Sequence, residues 1–187
     1  MLLTVDVGNT QTHIGTFRGG ELVQDWRFAT VRESTSDELG ADRLVNAVAA
    51  YERIGGACIV VDFGTANTYD AISANGDYLG GVIAPGVEIS VQALTERAAK
   101  LPRIDLNPPD ALIGKSTVEA IRSGVIYGFA GQVDGIVGRM REELGQETAT
   151  LATGGLAHAI VPFTQSIEEI DDLLTLTGLR LIHERNH

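Results

Sequence analysis

The feature that most constrains this chain is a short apolar strand that ends in an acidic turn and that occurs twice. Residues 2–10 read LLTVDVGNT, in which the apolar run reaches Asp6 and then turns at a glycine. Residues 57–65 repeat this order, with Asp62 in the place of Asp6. Each copy is followed by two more predicted strands, so the pattern indicates a duplicated unit of strand, turn, strand, turn and strand.

Both turns have the composition of a phosphate-binding loop. Glycine lets successive backbone N–H groups face one point, and such a nest binds phosphate oxygens. Asp6 and Asp62 repel phosphate, but each can hold a cation or its water shell that then contacts the phosphate. Either turn alone is also a plain strand end; the repeat favours a polyphosphate site between two lobes. The predicted phosphate-binding residues are Gly8, Asn9, Thr10, Gly64 and Thr65. A third turn, Thr153-Gly154-Gly155, suits the nucleoside side of a nucleotide.

A candidate general base lies between the two turns, in the sequence Gly40-Ala41-Asp42-Arg43. Phosphoryl transfer needs a group that orients the attacking hydroxyl and accepts its proton, and Asp42 is suited to that role. Arg43 is suited to binding an acidic substrate. Asp42 is equally well explained as a first-turn acid that favours the helix dipole, and spacing alone does not decide between the two.

Periodicity and turn residues predict the other elements. Strands are predicted at 13–17, 21–28, 68–73, 78–84 and 148–152, and helices at 42–53, 90–100, 116–144, 156–161 and 176–184. The acids at 168, 169, 171 and 172 are predicted to form a solvated loop.

The helix at 116–144 carries a capping box, Ser116 with Glu119, and a stripe of five glycines at 124, 128, 131, 135 and 138. Each glycine costs a helix about 0.5–1 kcal/mol relative to alanine, so the stripe predicts close approach of another helix. Packing inside the subunit and packing across a dimer both satisfy that requirement. Charged residues within the segment exclude a membrane span.

Composition narrows the classes of function. The net charge of −11 repels a nucleic-acid backbone, so nucleic-acid binding is not expected. The single cysteine, Cys58, cannot form a disulfide within the chain, which fits a reducing compartment. No apolar run is long enough for a membrane span or has the form of a signal peptide, so a cytoplasmic location is expected.

Taken together, the motifs resemble those of type III pantothenate kinases, in that family's order. They are Asp6-Val7-Gly8-Asn9-Thr10, Gly40-Ala41-Asp42-Arg43 with Asn46-Ala47, Asp62-Phe63-Gly64-Thr65-Ala66, Gly80-Gly81 followed by Ala84-Pro85-Gly86, Ser116-Thr117-Val118-Glu119-Ala120 and Thr153-Gly154-Gly155-Leu156-Ala157. The resemblance implies an α/β fold of two ribonuclease-H-like lobes around an ATP cleft, as in actin-like ATPases. It also implies a homodimer that phosphorylates pantothenate with ATP, the first step towards coenzyme A.

The resemblance also implies a role for each motif residue. Asp42 would be the base, and Gly40, Arg43 and Thr117 would bind pantothenate. Asp6 would hold Mg²⁺ through water, and Asp62 would hold a monovalent cation, K⁺ or NH₄⁺. The phosphates would lie against Gly8, Asn9, Thr10, Gly64 and Thr65, and the nucleotide would face Gly154 and Gly155.

One departure from the family concerns the first lobe. Family members carry a long segment between the Asp-Glu pair, here Asp37-Glu38, and the Gly-Ala-Asp-Arg motif, whereas here Leu39 runs directly into Gly40. We therefore predict a partial first lobe at residues 1–40, with little helical cover on its sheet, and a second lobe at 41–187. Three alternatives follow: an active pantothenate kinase, an impaired nucleotide-binding or regulatory relative, or a different kinase of the same superfamily. The Gly-Ala-Asp-Arg motif argues against the third.

Overall fold

A computed structural model describes residues 2–7, 11–29, 40–97 and 105–186. Its first sheet is an antiparallel meander of β1 (Leu2–Val7), β2 (Gln11–Arg18) and β3 (Glu21–Ala29) in that order. The turn between β2 and β3 contains Gly19 and Gly20, whose φ angles are 59° and 87°. Positive φ at both central residues is the geometry of a tight hairpin, which confirms the two predicted strands on either side.

The second sheet has five strands in the order β6-β5-β4-β7-β8. β4 is antiparallel to β5 and parallel to β7, so the sheet combines a meander with a parallel crossover. The strands are β4 (Cys58–Phe63), β5 (Ala66–Ile72), β6 (Tyr78–Pro85), β7 (Ala149–Thr153) and β8 (Glu169–Ile170). The helices are α1 (Ala41–Ile54), α2 (Val87–Arg97), α3 (Thr117–Leu144), α4 (Ala157–Ile160) and α5 (Leu174–Asn186), with a 3₁₀ turn at Val161–Phe163.

The core lies on both faces of the second sheet, with β4 at its centre. On one face Ile59, Val61 and Phe63 pack with buried residues of α3. On the other face Cys58 and Val60 pack with the small side chains of α1. A strand that is buried on both faces needs a continuous apolar sequence, and this explains the uninterrupted run before Asp62.

Helix α5 joins the two sheets. Leu176 packs on the first sheet so closely that a Cβ at Gly15 would lie 2.7 Å from its Cδ1 atom. Arg180 lies over the ring of Phe17, with 5.8 Å from Cζ to the ring centroid. The other side of α5 crosses α1, where Gly178 leaves no room for a side chain beside Val45. The C-terminal helix therefore supplies cover for one face of the shortened first lobe. The division of the chain into lobes at residue 40 stays a prediction.

The start of α3 matches its predicted capping box. Ser116 Oγ accepts a hydrogen bond of 3.3 Å from the backbone N of Glu119, and Glu119 Oε2 accepts one of 2.7 Å from the backbone N of Lys115. The predicted helix at 90–100 instead begins at Val87, because the chain turns into the helix directly after Gly86, whose carbonyl accepts from Ser90 N at 3.1 Å.

The predicted acidic loop is correct for Glu168, Asp171 and Asp172, which lie outside helices and strands, and wrong for Glu169. Glu169–Ile170 forms the short edge strand β8, and the neighbouring acids are ion-paired. Arg53 contacts Glu169 and lies 2.7 Å from Asp171 Oδ2, and Arg141 lies 2.8 Å from Glu168 Oε1. These arginines are distant in sequence, so no local pattern could reveal them.

In the ranges that the structure describes, no helix combines the length and apolarity that crossing a membrane requires.

Candidate active site

The carboxyl ends of β4 and β7 bring two of the three predicted turns together. Asp62 lies opposite Thr153 in the parallel pairing of these strands. Gly154, which follows, has φ of 94°, and a Cβ there would lie 2.5 Å from Asp62 Oδ1 and 2.6 Å from Phe63 N. Glycine is required at this position both by backbone conformation and by space.

The turn after β4 is held from its far side by the end of β6. Gly86 N donates a hydrogen bond of 3.2 Å to Thr65 O, and Gly64 N donates one of 3.2 Å to Ala66 O. A Cβ on Gly86 would lie 2.7 Å from Gly64 O, so this contact also requires glycine. The predicted phosphate-binding turn is therefore a fixed part of the fold.

Asp62 has a strongly raised pKa. Its pKa is raised to about 7, first by burial and then by the negative charges of Asp42, Asp6 and Asp70, while a hydrogen bond from Asn46 acts in the opposite direction. That bond runs from Asn46 Nδ2 to Asp62 Oδ2 at 3.1 Å, and Thr175 Oγ1 donates to Asn46 Oδ1 at 2.7 Å. A carboxyl that is crowded by three other carboxyls is one that a bound cation would stabilise.

The donor chemistry therefore suits a cation at Asp62. Oxygen ligands are those that K⁺ and Mg²⁺ prefer, and Asp6 is near enough for its charge to act on Asp62. No group of three or more His, Cys, Asp or Glu side chains within the described ranges is arranged to bind a metal ion directly.

Asp42 lies in the first turn of α1, exposed to solvent. Its Oδ1 atom accepts a hydrogen bond of 2.9 Å from Arg43 N, and its charge acts on Asp62. Gly40 precedes it so closely that a side chain there would collide with Asp42 Oδ1. The Asp42 carboxylate is therefore accessible to a substrate. It also accepts a hydrogen bond from the backbone in the first turn of α1.

Arg43, predicted to bind an acidic substrate, points into the protein and pairs with Asp70 of β5. The Arg43 Nη2 to Asp70 Oδ1 distance is 2.6 Å, and the side chains are 8% and 0% exposed. Tyr78 OH donates to the same oxygen at 2.7 Å. Sequence reasoning missed Asp70 and Tyr78, because β5 also contains the polar residues Asn67 and Thr68 and its sequence does not mark Asp70 as buried.

The remaining predicted residues are less tightly grouped. Thr117 is exposed in the first turn of α3, and no hydrogen bond or ion pair within the described ranges joins it to Asp42 or Asp62. Gly155 lines a cleft of about 540 Å³ together with Arg53, His158 and Asp172. Gly8, Asn9 and Thr10 lie outside the described residues, so the first phosphate turn stays a prediction.

Replacing Asp62 with asparagine is expected to flatten the dependence of stability on pH. The unfolded carboxyl has the ordinary pKa of an aspartate, 3.8, whereas the folded pKa is about 7. Between these values only the folded state keeps the proton. The stabilisation is therefore complete below the unfolded pKa and is lost as pH rises towards 7, by up to about 1.4 kcal/mol per pH unit.

Urea denaturation at several pH values in that window, without added Mg²⁺ or K⁺, measures this effect. Asp77→Asn is the matched control, because Asp77 is exposed and its hydrogen bonds within the described residues are all to Ser73. Parallel stability curves for the wild type and Asp62→Asn would contradict the raised pKa.

Solved structures that cover nearly the whole chain share this fold. A putative Baf family transcriptional activator from Campylobacter jejuni is 20% identical, with a TM-score of 0.63 over 99% of this chain and 98% of that one. The activator of 2-hydroxyisocaproyl-CoA dehydratase from Clostridium difficile, solved with ADPNP, is 11% identical, with a TM-score of 0.63 over 98% and 95%. An inorganic polyphosphate/ATP-glucomannokinase from Arthrobacter is 14% identical, with a TM-score of 0.55 over 100% and 99%. The fold is that of the actin-like ATPases and kinases.

Relatives in amino-acid sequence identify the family to which this chain belongs. A sequence profile of type III pantothenate kinases matches residues 2–40 and 31–139. The enzyme of that name from Syntrophus aciditrophicus is 43% identical over 253 positions, covering 100% of both chains. The one from Moorella thermoacetica is 41% identical over 253 positions, again covering 100% of both. This chain belongs to the type III pantothenate kinase family, whose members phosphorylate pantothenate with ATP in coenzyme A biosynthesis.

The same comparisons support the shortened first lobe. The alignment with the Syntrophus enzyme spans 253 positions and this chain has 187 residues, so at least 66 positions have no counterpart here. The family profile matches in two pieces that meet at residues 31–40, which is where the sequence predicts the junction.

Proposed function

We propose that this chain, with its shortened first lobe, transfers the γ-phosphate of ATP to the hydroxyl of pantothenate. One observation carries the proposal. The exposed carboxylate of Asp42 lies within electrostatic reach of Asp62, and Asp62 in turn contacts the Gly154 turn. The residues to which we assign the base, the cation and the nucleotide therefore lie at one end of the second sheet.

ATP would bind across this end of the sheet. Its phosphates would lie against the turn of Gly64 and Thr65 and against the first-lobe turn of Gly8, Asn9 and Thr10. Its adenosine would lie beside Gly154 and Gly155, at the cleft that Gly155 lines. Backbone N–H groups suit this task in a chain with a net charge of −11, because they bind phosphate without a basic patch.

Asp42 would accept the proton of the pantothenate hydroxyl as its oxygen bonds to the γ-phosphorus, while the bond from that phosphorus to the leaving oxygen of ADP breaks. Gly40, Arg43 and Thr117 would hold pantothenate, with the guanidinium of Arg43 directed at its carboxylate.

The proposed reaction also uses a divalent and a monovalent cation, and each is assigned to one aspartate. Asp6 would hold Mg²⁺ through water, and Asp62 would hold K⁺ or NH₄⁺. Bound cations neutralise phosphate charge during transfer. The perturbed pKa of Asp62 supports a cation there, since the ion would relieve the repulsion among the four carboxyls.

The absent segment favours a second candidate function. A chain that lacks at least 66 positions of its relatives loses part of the lobe expected to enclose pantothenate. It would then bind the nucleotide without turnover and act as a nucleotide-binding or regulatory relative. A cytoplasmic location and the lack of nucleic-acid binding are predictions for either candidate.

An assay for ADP release separates the two candidates. The first predicts ADP release that needs pantothenate, Mg²⁺ and a monovalent cation. The second predicts that ATP raises the melting temperature while pantothenate elicits no ADP. If ATP does not raise the melting temperature and no ADP is released, both candidates are contradicted.

A homodimer is also proposed, with the glycine stripe of α3 in its interface. Within the described residues, a Cβ on Gly124, Gly128, Gly131 or Gly138 would meet nothing within 4 Å, so packing inside the subunit does not account for the stripe. A second copy of α3 would give these glycines the close approach that offsets their cost to the helix.

Gly131→Arg is expected to convert this dimer into a monomer, because the long charged side chain would fill the close approach. Light scattering after size-exclusion chromatography measures the mass. Gly56→Arg is the control, because Gly56 likewise meets nothing within 4 Å and is not part of the glycine stripe of α3. An unchanged dimer with Gly131→Arg would place the interface elsewhere.

A further inference from the structure

The ion pair of Arg43 and Asp70 is supported by further hydrogen bonds to the Asp70 carboxylate. Arg43 Nε and Nη2 both donate to Asp70 Oδ1, at 2.8 and 2.6 Å. Tyr78 OH donates to the same oxygen at 2.7 Å, and Thr68 Oγ1 lies 3.2 Å from Oδ2. Both oxygens of a fully buried carboxylate are thus engaged, so Asp70 is fixed in place.

The pair leaves part of the Arg43 guanidinium uncommitted. A guanidinium has five N–H donors in a rigid plane, and Asp70 takes only its Nε–Nη2 edge. Within the described parts of the chain, Arg43 Nη1 makes no hydrogen bond. Burial opposes the charged form of Arg43, but the hydrogen bond and charge of Asp70 outweigh it and raise the pKa, so the group stays cationic.

Strand β6 makes room for this arrangement. A Cβ on Gly81 would lie 2.7 Å from Arg43 Nη2 and 2.8 Å from Asp70 Oδ1. Tyr78, from the same strand, places its ring 5.9 Å from Arg43 Cζ. The orientation of the guanidinium is therefore determined by a glycine, a tyrosine and an aspartate from β5 and β6.

We propose that Asp70 is a positioning residue for the phosphorylation reaction: it fixes the Nε–Nη2 edge of Arg43 so that the Nη1 edge is presented to the carboxylate of the acidic substrate. Arg43 directly follows Asp42, and Arg43 N donates to Asp42 Oδ1 at 2.9 Å. Holding Arg43 thus also fixes the spacing between the group that binds the substrate acid and the group that accepts the hydroxyl proton. This role rests on the proposed function.

Asp70→Asn tests the proposal, because it removes the charge and keeps the shape. We expect KM for pantothenate to rise about tenfold, in line with the loss of one charge-assisted contact, with kcat and KM for ATP changing less than about threefold. Preference for pantothenate over panthenol, in which a neutral CH₂OH replaces the carboxylate, should fall by a similar factor. Tyr78→Phe, which removes one donor to Asp70 and keeps the ion pair, should give a smaller change of the same kind.

The control is Asp77→Asn, which removes one negative charge from the turn before β6 and leaves Arg43 untouched. A second readout does not depend on activity. Proton exchange of the Arg43 Nε–H group, followed by ¹⁵N NMR, should be at least about tenfold faster in Asp70→Asn, since the buried acceptor has lost its charge.

The outcomes separate this proposal from the function on which it rests. An active wild type whose KM and preference are unchanged by Asp70→Asn, or whose KM falls, would overturn the positioning role. A wild type without turnover would count against the proposed function. In that case unchanged Nε–H exchange in Asp70→Asn would overturn the positioning role as well, and faster exchange would support it.

Discussion

Asp42→Asn is expected to lower kcat for pantothenate phosphorylation by about 10²–10⁴-fold, the usual contribution of a general base. Asparagine keeps the size of the side chain and cannot accept the hydroxyl proton. Asp42 is exposed, and within the described ranges its side chain bonds to Arg43 N, so the fold should tolerate the change. Steady-state kinetics and thermal denaturation of the same preparation measure both quantities.

The matched control for Asp42→Asn is Glu88→Gln, which removes another exposed acid from the first turn of a helix. If Asp42 serves only the helix dipole, both substitutions should cost about 0.3–1 kcal/mol of stability and leave kcat alone. A loss of kcat confined to Asp42→Asn would establish the base. Equal kcat in both variants would contradict it.

Asp70→Ala and Arg43→Ala are each expected to lower the free energy of unfolding by about 3–5 kcal/mol. Both side chains are buried, with 0% and 8% exposed, and removing either leaves an uncompensated charge in the interior. Urea denaturation of the two single variants measures these losses.

The double variant tests whether the ion pair causes these losses of stability. Because Arg43→Ala with Asp70→Ala removes both charges, it should lose clearly less stability than the two single losses added together. A strictly additive double variant would mean that the two side chains do not stabilise each other, and the ion pair would then not be the reason for the large single effects.

Local sequence signals predicted the elements that depend on local chemistry. The capping box at Ser116 and Glu119 gave the start of α3 within one residue, because the cap is formed by neighbours in sequence. The apolar run before Asp62 predicted a strand, and the structure adds that this strand is buried on both faces. The third glycine turn was predicted to serve the same nucleotide as the repeated turns; the structure brings the Asp62 and Gly154 turns into contact, and their ligand stays a prediction.

Features that depend on distant pairs could not be predicted in this way. Arg43 and Asp70 are separated by 27 residues, so spacing identified the arginine as a ligand for a substrate acid and gave no sign of its internal partner. The edge strand β8 was missed for the same reason: its acids are neutralised by Arg53 and Arg141 from other elements. The position of α5 across both sheets depends on close contacts at Gly15 and Gly178, which no periodicity reveals.

The most direct test of the central claim is to look for 4′-phosphopantothenate by mass spectrometry after incubating the protein with ATP, pantothenate, Mg²⁺ and K⁺. The intact mass of the same sample should be 19.9 kDa, which establishes that Leu39 is joined to Gly40. The account predicts phosphorylated pantothenate from that sample and none from Asp42→Asn. A sample of 19.9 kDa that is stabilised by ATP and forms no product would contradict it and would establish the nucleotide-binding alternative.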